Sequence, residues 1–287
     1  MDIAVLGMGR MGQAVARRLL GGGHDVIVWN RTPGRAGKVV AQGGWEAHSI
    51  AQAVSGREVV VTSLANDDVV RAVALGEGGI RSAIGPDAVY ADCSTVSPAL
   101  STELATLFPR FVALPILGSP AAVEAGQATY LAGGDPAVVA RLEPMLATLS
   151  DKVRRYDTPA KAASGKLANN LMLLAEVVAL AEAIAVARSG GLSDEEIREL
   201  LGQSPMLAPG VKNRFEGVLT GDQEPWWSTA LGGKDARLAV DAAKAAGIDL
   251  PLAQLVEALY REAAAAEDGD DDIVAVAKRY RSARPSP

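Results

Sequence analysis

Residues 158–191 read TPAKAASGKLANNLMLLAEVVALAEAIAVARSGG. Thr158 is a favourable N-cap, and Pro159 fits the first helical turn, where a missing N–H costs nothing. No proline follows from Ala160 to Ser189, and Gly190-Gly191 close the run. The pattern predicts a single helix roughly 40 Å long, more than the ~30 Å width of a small domain. From Leu171 to Val186 it is apolar on nearly every face, which predicts burial all round. A membrane span is the competing reading. Glu176 and Glu182 interrupt a run already short for one, so burial in protein is expected. Lys166 and Asn170 lie four residues apart and so share one face near the start of this helix. Solvation of the first two turns would account for an isolated pair of this kind. The sequence on either side points to more.

Upstream, strand and helix patterns alternate. Asp2 to Leu6 is a short apolar strand, followed at once by Gly7-Met8-Gly9-Arg10-Met11-Gly12 and then by QAVARRLLGGG, a helix ended by glycines. A G-x-G-x-x-G run with a strand before it and a helix after it is the setting a dinucleotide requires. The first glycine makes the turn, the second lets diphosphate approach the backbone, and the third packs helix on strand. The helix N-terminus adds free N–H groups and the positive end of a dipole. A second strand, Asp25 to Trp29, ends in Asn30-Arg31-Thr32 where an acid would hold a ribose 2′-hydroxyl. A guanidinium and two small polar side chains suit a 2′-phosphate instead, so NADP is favoured, with NADPH preferred over NADH. Thr32 is also expected to cap a helix beginning at Pro33. Further strands are expected at 58–64, 88–92, 111–116, 128–132 and 152–156, with Gly133-Gly134 a turn. Ser94 and Thr95 fall between a strand's carboxyl end and a helix capped by Ser97-Pro98, where substrate and nicotinamide can be met; ordinary turn chemistry is the competing reading. The expected organisation is an α/β Rossmann-like dinucleotide-binding domain, residues 1–158, followed by an all-α domain, residues 159–287, begun by the long interdomain helix.

The totals narrow the chemistry. The chain has 287 residues, 49% hydrophobic and 22% charged, enough for two globular domains. A net charge of −6 with scattered Lys and Arg argues against nucleic acid. Met1 leads straight into a strand, so no signal peptide is expected and the location is read as cytoplasmic. The single cysteine, Cys93, excludes internal disulfides and thiolate clusters, and two histidines, His24 and His48, are too few for a His-rich metal site. No metal is expected. Chemistry must run on Lys, Ser, Asn, Asp or a cofactor.

Downstream the pattern is helical. Ser193-Asp194-Glu195-Glu196 is a capping box, and prolines break the middle. Trp226-Trp227 precede Gly232-Gly233-Lys234-Asp235, which opens a helix to Ala246. Paired tryptophans more often pack than touch ligands. Asp268 to Asp272 lacks calcium-loop spacing and reads as acid at the start of the last helix. Residues 281–287 are expected to fray.

These motifs together resemble the β-hydroxyacid dehydrogenase family, which includes 3-hydroxyisobutyrate and 6-phosphogluconate dehydrogenases. The resemblance rests on GMGRMG at 7–12, NRT at 30–32, DCST at 92–95, KLANN at 166–170 and KDARLA at 234–239. It implies Lys166 as general acid/base, Asn170 as a substrate-orienting amide and Ser94 as a substrate ligand. Thr95 and Lys234 would contact cofactor, as would Leu64, Ala65 and Val69 in the nicotinamide-side loop. Leu117, Gly118, Ser119, Trp227 and Asp235 would line the substrate pocket. Hydride transfer to a carbonyl leaves an alkoxide to be protonated, and no Tyr is followed four residues later by Lys, so Lys166 is the available acid. The family often has Ser-Gly-Gly where this chain has Leu117-Gly118-Ser119, which points away from small carboxylate substrates; the competing reading is that Ser119, two residues on, takes over the carboxylate. The glycine-rich approach to the lysine is replaced by Thr158 to Ala162, and the usual Leu-Pro by Leu64-Ala65. Imine reductases resemble the same family but usually carry Asp or Tyr at the lysine position. A non-catalytic NADP-binding protein is the rival from a different class. A homodimer is expected, because the apolar helix needs more cover than about 130 further residues readily give.

Overall fold

The computed structural model describes residues 1–281; the expected fraying of 282–287 lies outside the described residues. The chain divides into two compact units, one from Met1 to Lys166 and one from Leu167 onward.

The first unit is built on nine strands: β1 (Asp2–Leu6), β2 (Asp25–Trp29), β3 (Trp45–Glu46), β4 (Val59–Thr62), β5 (Val89–Asp92), β6 (Phe111–Ala113), β7 (Ile116–Leu117), β8 (Thr129–Gly134) and β9 (Val153–Tyr156). Their order is β3-β2-β1-β4-β5-β6-β8-β7, with β9 on β8. The first six of these run parallel, β8 is antiparallel to β6 and β7, and β9 is parallel to β8. The order 3-2-1-4-5-6 is that of dinucleotide-binding doubly wound sheets, with its switch point between β1 and β4. Ile3, Val5, Val26, Val28, Val59 and Val61 face one core, while Ala4, Leu6, Ile27 and Val60 face the other. Alternate residues of a strand point to opposite faces, so strands apolar throughout are strands covered on both sides.

Several expectations need correction. No helix starts at Pro33: residues 33–36 form a turn, because Gly34 takes φ +80°, and only Gly37–Val40 is helical. The run 111–116 is two strands separated at Leu114-Pro115, since proline has no N–H for a ladder. Gly133 and Gly134 belong to β8 instead of forming a turn. A β-carbon on Gly133 would stand 2.5 Å from the Thr158 carbonyl oxygen, so the strand is small there for close packing. Strand β3 was not anticipated.

Among the helices that matter here, α1 (Arg10–Gly21), α2 (Asp67–Leu75) and α3 (Pro98–Leu107) belong to the first unit. The long helix, α4, is continuous over Pro159–Ser189, 31 residues or about 46 Å. By length and composition it could cross a membrane. Leu174, Val177, Val178, Leu180, Ala181 and Ile184, however, lie in the core of the second unit. They pack with Ile197 of α5 (Asp194–Leu201), Ala236 of α6 (Thr229–Ala245) and Val256, Leu259 and Tyr260 of α7 (Pro251–Ala263). The expected burial all round is not what one chain shows. Met172 is 65% and Val186 71% exposed, and Ala179 and Ala183 are exposed between them, an apolar stripe at helical spacing.

Helix α6 begins at Thr229, earlier than its glycines suggest, because the Ser228 hydroxyl accepts from Leu231 N. Asp272 caps the 3-10 helix Ile273–Tyr280 as its acidic position predicts, and it also pairs with Arg214 at 3.0 Å, both side chains fully enclosed. Arg214 lies 3.8 Å above the Trp226 ring, and Asp272 Oδ2 accepts from the N–H groups of Trp226 and Trp227. Two distant charged residues thus fix the tryptophan pair, a pairing with no local pattern to reveal it. Arg281 donates to the Gly217 and Val218 carbonyls.

Candidate active site

The β1–α1 turn is decided by three glycines with three different surroundings. Gly7 takes φ +101°, and a β-carbon there would stand 2.3 Å from the Ser63 carbonyl oxygen at the end of β4. A β-carbon on Gly12 would stand 1.9 Å from the Gly7 carbonyl oxygen, so helix and strand can meet only with glycine present. Around Gly9 nothing lies within 4 Å. The turn is anchored by Gly7 N donating to the Trp29 carbonyl at 2.9 Å and by Met8 N donating to Asn30 Oδ1 at 2.9 Å. Asn30 Nδ2 in turn donates to the Thr32 carbonyl at 2.8 Å. The Met8 side chain is buried, while Gly9 and Arg10 are exposed and Met11 half-buried. Gly9 caps α1 with no side chain, and the first turn carries no acid. The open N–H donors and positive dipole end there fit a diphosphate, with Gly9 supplying the room. Arg31 and Thr32 are exposed just beyond β2, and Arg31 makes no ion pair among the described residues.

The loops after β4 and β5 lie beside this turn in the sheet order. Leu64 N donates to Ser94 Oγ at 2.9 Å, and Ser94 N donates to Asp92 Oδ1 at 3.1 Å. The Thr62 hydroxyl donates to Asp92 Oδ1 at 2.7 Å and lies 3.1 Å from the Tyr90 hydroxyl. Burial pushes the Asp92 carboxyl above its ordinary range, opposed by hydrogen bonds from Ser94 and Thr62. Asn66 caps α2 by accepting from Val69 N, and Asp67 accepts from both the N–H and the hydroxyl of Ser97. Ala65 is exposed and Thr95 half-buried. Neither Thr62 nor Asp92 stands out as a functional residue in the sequence. Their signal was a polar residue closing an otherwise apolar strand.

Lys166 is half-buried, and its Nζ donates to the Ile116 carbonyl at 2.6 Å. Leu117-Gly118-Ser119 continue from that carbonyl, so the segment departing most from the family adjoins the anchor of Lys166. Ser119 Oγ accepts from Ala122 N, capping the short helix Pro120–Glu124. In the second unit Asn170 Nδ2 donates to Asp235 Oδ2 at 2.7 Å, and Lys234 Nζ lies 2.8 Å from Asp235 Oδ1. Asn170 and Asp235 are 4% and 3% exposed, so the amide orientation is set by a buried carboxylate. Trp227 is half-buried against the helical core. Two surface clefts, one lined by Arg17, Arg18 and Gln42 and the other by Asp241, Lys244 and Asp249, contain none of these residues. Among the described residues no group of three His, Cys, Asp or Glu could hold a metal.

Comparison with known proteins bears on this arrangement. Residues 2–157 match the NAD-binding domain of 6-phosphogluconate dehydrogenase, and residues 160–280 match the NAD-binding domain of NADP-dependent 3-hydroxyisobutyrate dehydrogenase. The chain is 30% identical to an uncharacterized oxidoreductase of Bacillus subtilis (strain 168), over 97% of this chain and 99% of that one. It is 28% identical to the 2-(hydroxymethyl)glutarate dehydrogenase of Eubacterium barkeri, over 96% and 93% of the two chains. The crystal structure of 3-hydroxyisobutyrate dehydrogenase from Salmonella typhimurium superposes with a TM-score of 0.87 at 27% identity, covering 96% of this chain and 99% of that one.

The three glycines should separate in a mutational test. Gly9→Ala has space for its methyl group, so its urea midpoint should match wild type while dinucleotide affinity falls at least ten-fold. Gly12→Ala should lower the midpoint itself. Fluorescence titration with NADPH and urea unfolding of both variants check this.

Proposed function

The chain is a member of the β-hydroxyacid dehydrogenase family of NAD(P)-dependent oxidoreductases, and from that premise we propose that it reduces a small carbonyl compound with NADPH, using Lys166 as general acid. The observation that carries this reading is the half-buried Lys166 ammonium, held by the Ile116 carbonyl beside Leu117. A bound reduced nicotinamide would supply the hydride that the carbonyl carbon accepts. Lys166 holds the proton that the carbonyl oxygen takes up, giving an alcohol, and the reverse direction returns that proton to the amine. Asn170, one helical turn further on, is assigned to orient the substrate, its amide fixed by Asp235. Lysine at 166 favours carbonyl over imine reduction.

NADPH is proposed over NADH on the strength of Arg31 and Thr32, exposed after β2 with no acid among residues 30–32. The proposed substrate is bulkier or less polar than a three- or four-carbon acid semialdehyde, because Leu117 stands where relatives often present a hydroxyl. A homodimer formed along the exposed stripe of α4 belongs to the same reading, with Met172 and Val186 covered by a second copy. So does a cytoplasmic location without membrane or nucleic-acid partners, the last of these supported by the charge of −6.

Three outcomes are expected. Lys166→Met should lower kcat by about 10²–10⁴ in an NADPH-oxidation assay, with NADPH affinity hardly changed. Arg31→Asp should narrow or reverse the NADPH preference, by roughly ten- to hundred-fold in the ratio of the two dissociation constants. Light scattering at micromolar concentration should give twice the chain mass, and Met172→Glu should shift it toward one; a wild-type monomer would refute the dimer.

A further inference from the structure

Asp92 is the one acid among the buried polar residues of the first unit, 2% exposed at the end of β5, and no cation pairs with it among the described residues. A carboxyl in that position costs stability unless its hydrogen bonds hold something worth holding. Its partners are the Thr62 hydroxyl and the Ser94 N–H. Thr62 is the last residue of β4, two positions before Leu64, and Ser94 Oγ accepts the Leu64 N–H at 2.9 Å. Ser94 is itself only 4% exposed, and its hydroxyl oxygen is taken up by the Leu64 N–H. At 4% exposure, and aimed at the Leu64 N–H, the Ser94 hydroxyl has little surface to offer a substrate oxygen. The same two loops are tied a second time where Asp67 accepts from Ser97, so the turn at 64–65 is laced from both ends.

We propose that Asp92 and Ser94 are positioning residues for the Leu64–Ala65 turn, and that the Ser94 hydroxyl braces this turn instead of binding substrate. The consequence for catalysis rests on the reading of the chain as a nicotinamide-dependent reductase, in which Leu64 and Ala65 border the ring. The brace itself does not. It predicts that the protein holds its nicotinamide-side turn rigid before any ligand arrives, and that the substrate ligands are to be sought at Asn170 and along Leu117 to Ser119.

The test uses the full chain with Ser94→Ala, Asp92→Asn and Asp92→Ala, read in two ways. Hydrogen exchange of the unliganded protein, followed on overlapping peptides that isolate the Leu64 amide, should rise roughly three- to ten-fold in Ser94→Ala, the equivalent of one neutral hydrogen bond. Asp92→Ala should do the same. Asp92→Asn keeps an acceptor oxygen for Thr62 and Ser94 and should stay within about two-fold of wild type. Should Asp92→Ala not fold, Ser94→Ala and Asp92→Asn still decide the question. In steady-state kinetics with NADPH, Ser94→Ala should lower kcat about ten-fold and raise the isotope effect from C4-deuterated NADPH, with the carbonyl KM within two-fold. Unchanged exchange at Leu64 overturns the brace, and a raised carbonyl KM at constant kcat overturns it in favour of Ser94 as a substrate ligand. A wild-type protein that binds no NADPH and turns over no carbonyl refutes the reductase reading, while the Leu64 exchange still decides the brace.

Discussion

A β-carbon on Gly12 would stand 1.9 Å from the Gly7 carbonyl oxygen, and one on Gly7 would stand 2.3 Å from the Ser63 carbonyl oxygen. These two contacts bring β1, α1 and the end of β4 together at the switch point of the sheet. Once they are made, the amino end of α1 faces outward with its donors uncapped, and the loops after β4 and β5 stand beside it. Everything assigned to a dinucleotide depends on that approach. The fixed glycines on either side of Gly9 make its empty surroundings meaningful, because space there is held open by backbone that cannot move in.

The second unit is organised by a different constraint. Helix α4 has enough apolar surface to need a core on one side, supplied by α5, α6, α7 and the segment 273–280. Polar residues enter that core in pairs. Asn170 is held by Asp235, and Arg214 by Asp272, which also takes the N–H groups of both tryptophans. A buried ion pair of this kind recovers little net energy for its desolvation. What it does here is fix the path of the chain through Trp226 and Trp227 into α6, the helix that carries Lys234 and Asp235.

The parts of this structure legible in the sequence were those with a local cause. Strands β1 and β2, the glycine turn, the capping box at Ser193 and the extent of α4 follow from periodicity, caps and breakers within a few residues. The parts not legible depend on partners far along the chain. Thr32 reads as a cap until Gly34 turns the backbone, and Gly133-Gly134 read as a turn until Thr158 packs on them. Among the candidate site residues, the glycines and Lys166 are visible because their types are unusual in their setting. Asp92 reads only as the start of a motif; its hydrogen bond from Thr62, thirty residues away, exists only once β4 and β5 are paired. The continuous apolar pattern of α4 suggested burial on every side, yet a single chain covers one side and leaves Met172 and Val186 exposed.

Hydride transfer onto a carbonyl carbon is the step to which the glycine turn, the nicotinamide-side loops and Lys166 have all been assigned. It can be followed atom by atom. The wild-type protein, incubated with NADPH deuterated at the transferable C4 position and a panel of aldehydes and ketones, should yield an alcohol bearing one deuterium on the former carbonyl carbon, detected by mass spectrometry. Bound NADPH with no labelled alcohol from any carbonyl, or label appearing only in amines from cyclic imines, would contradict it.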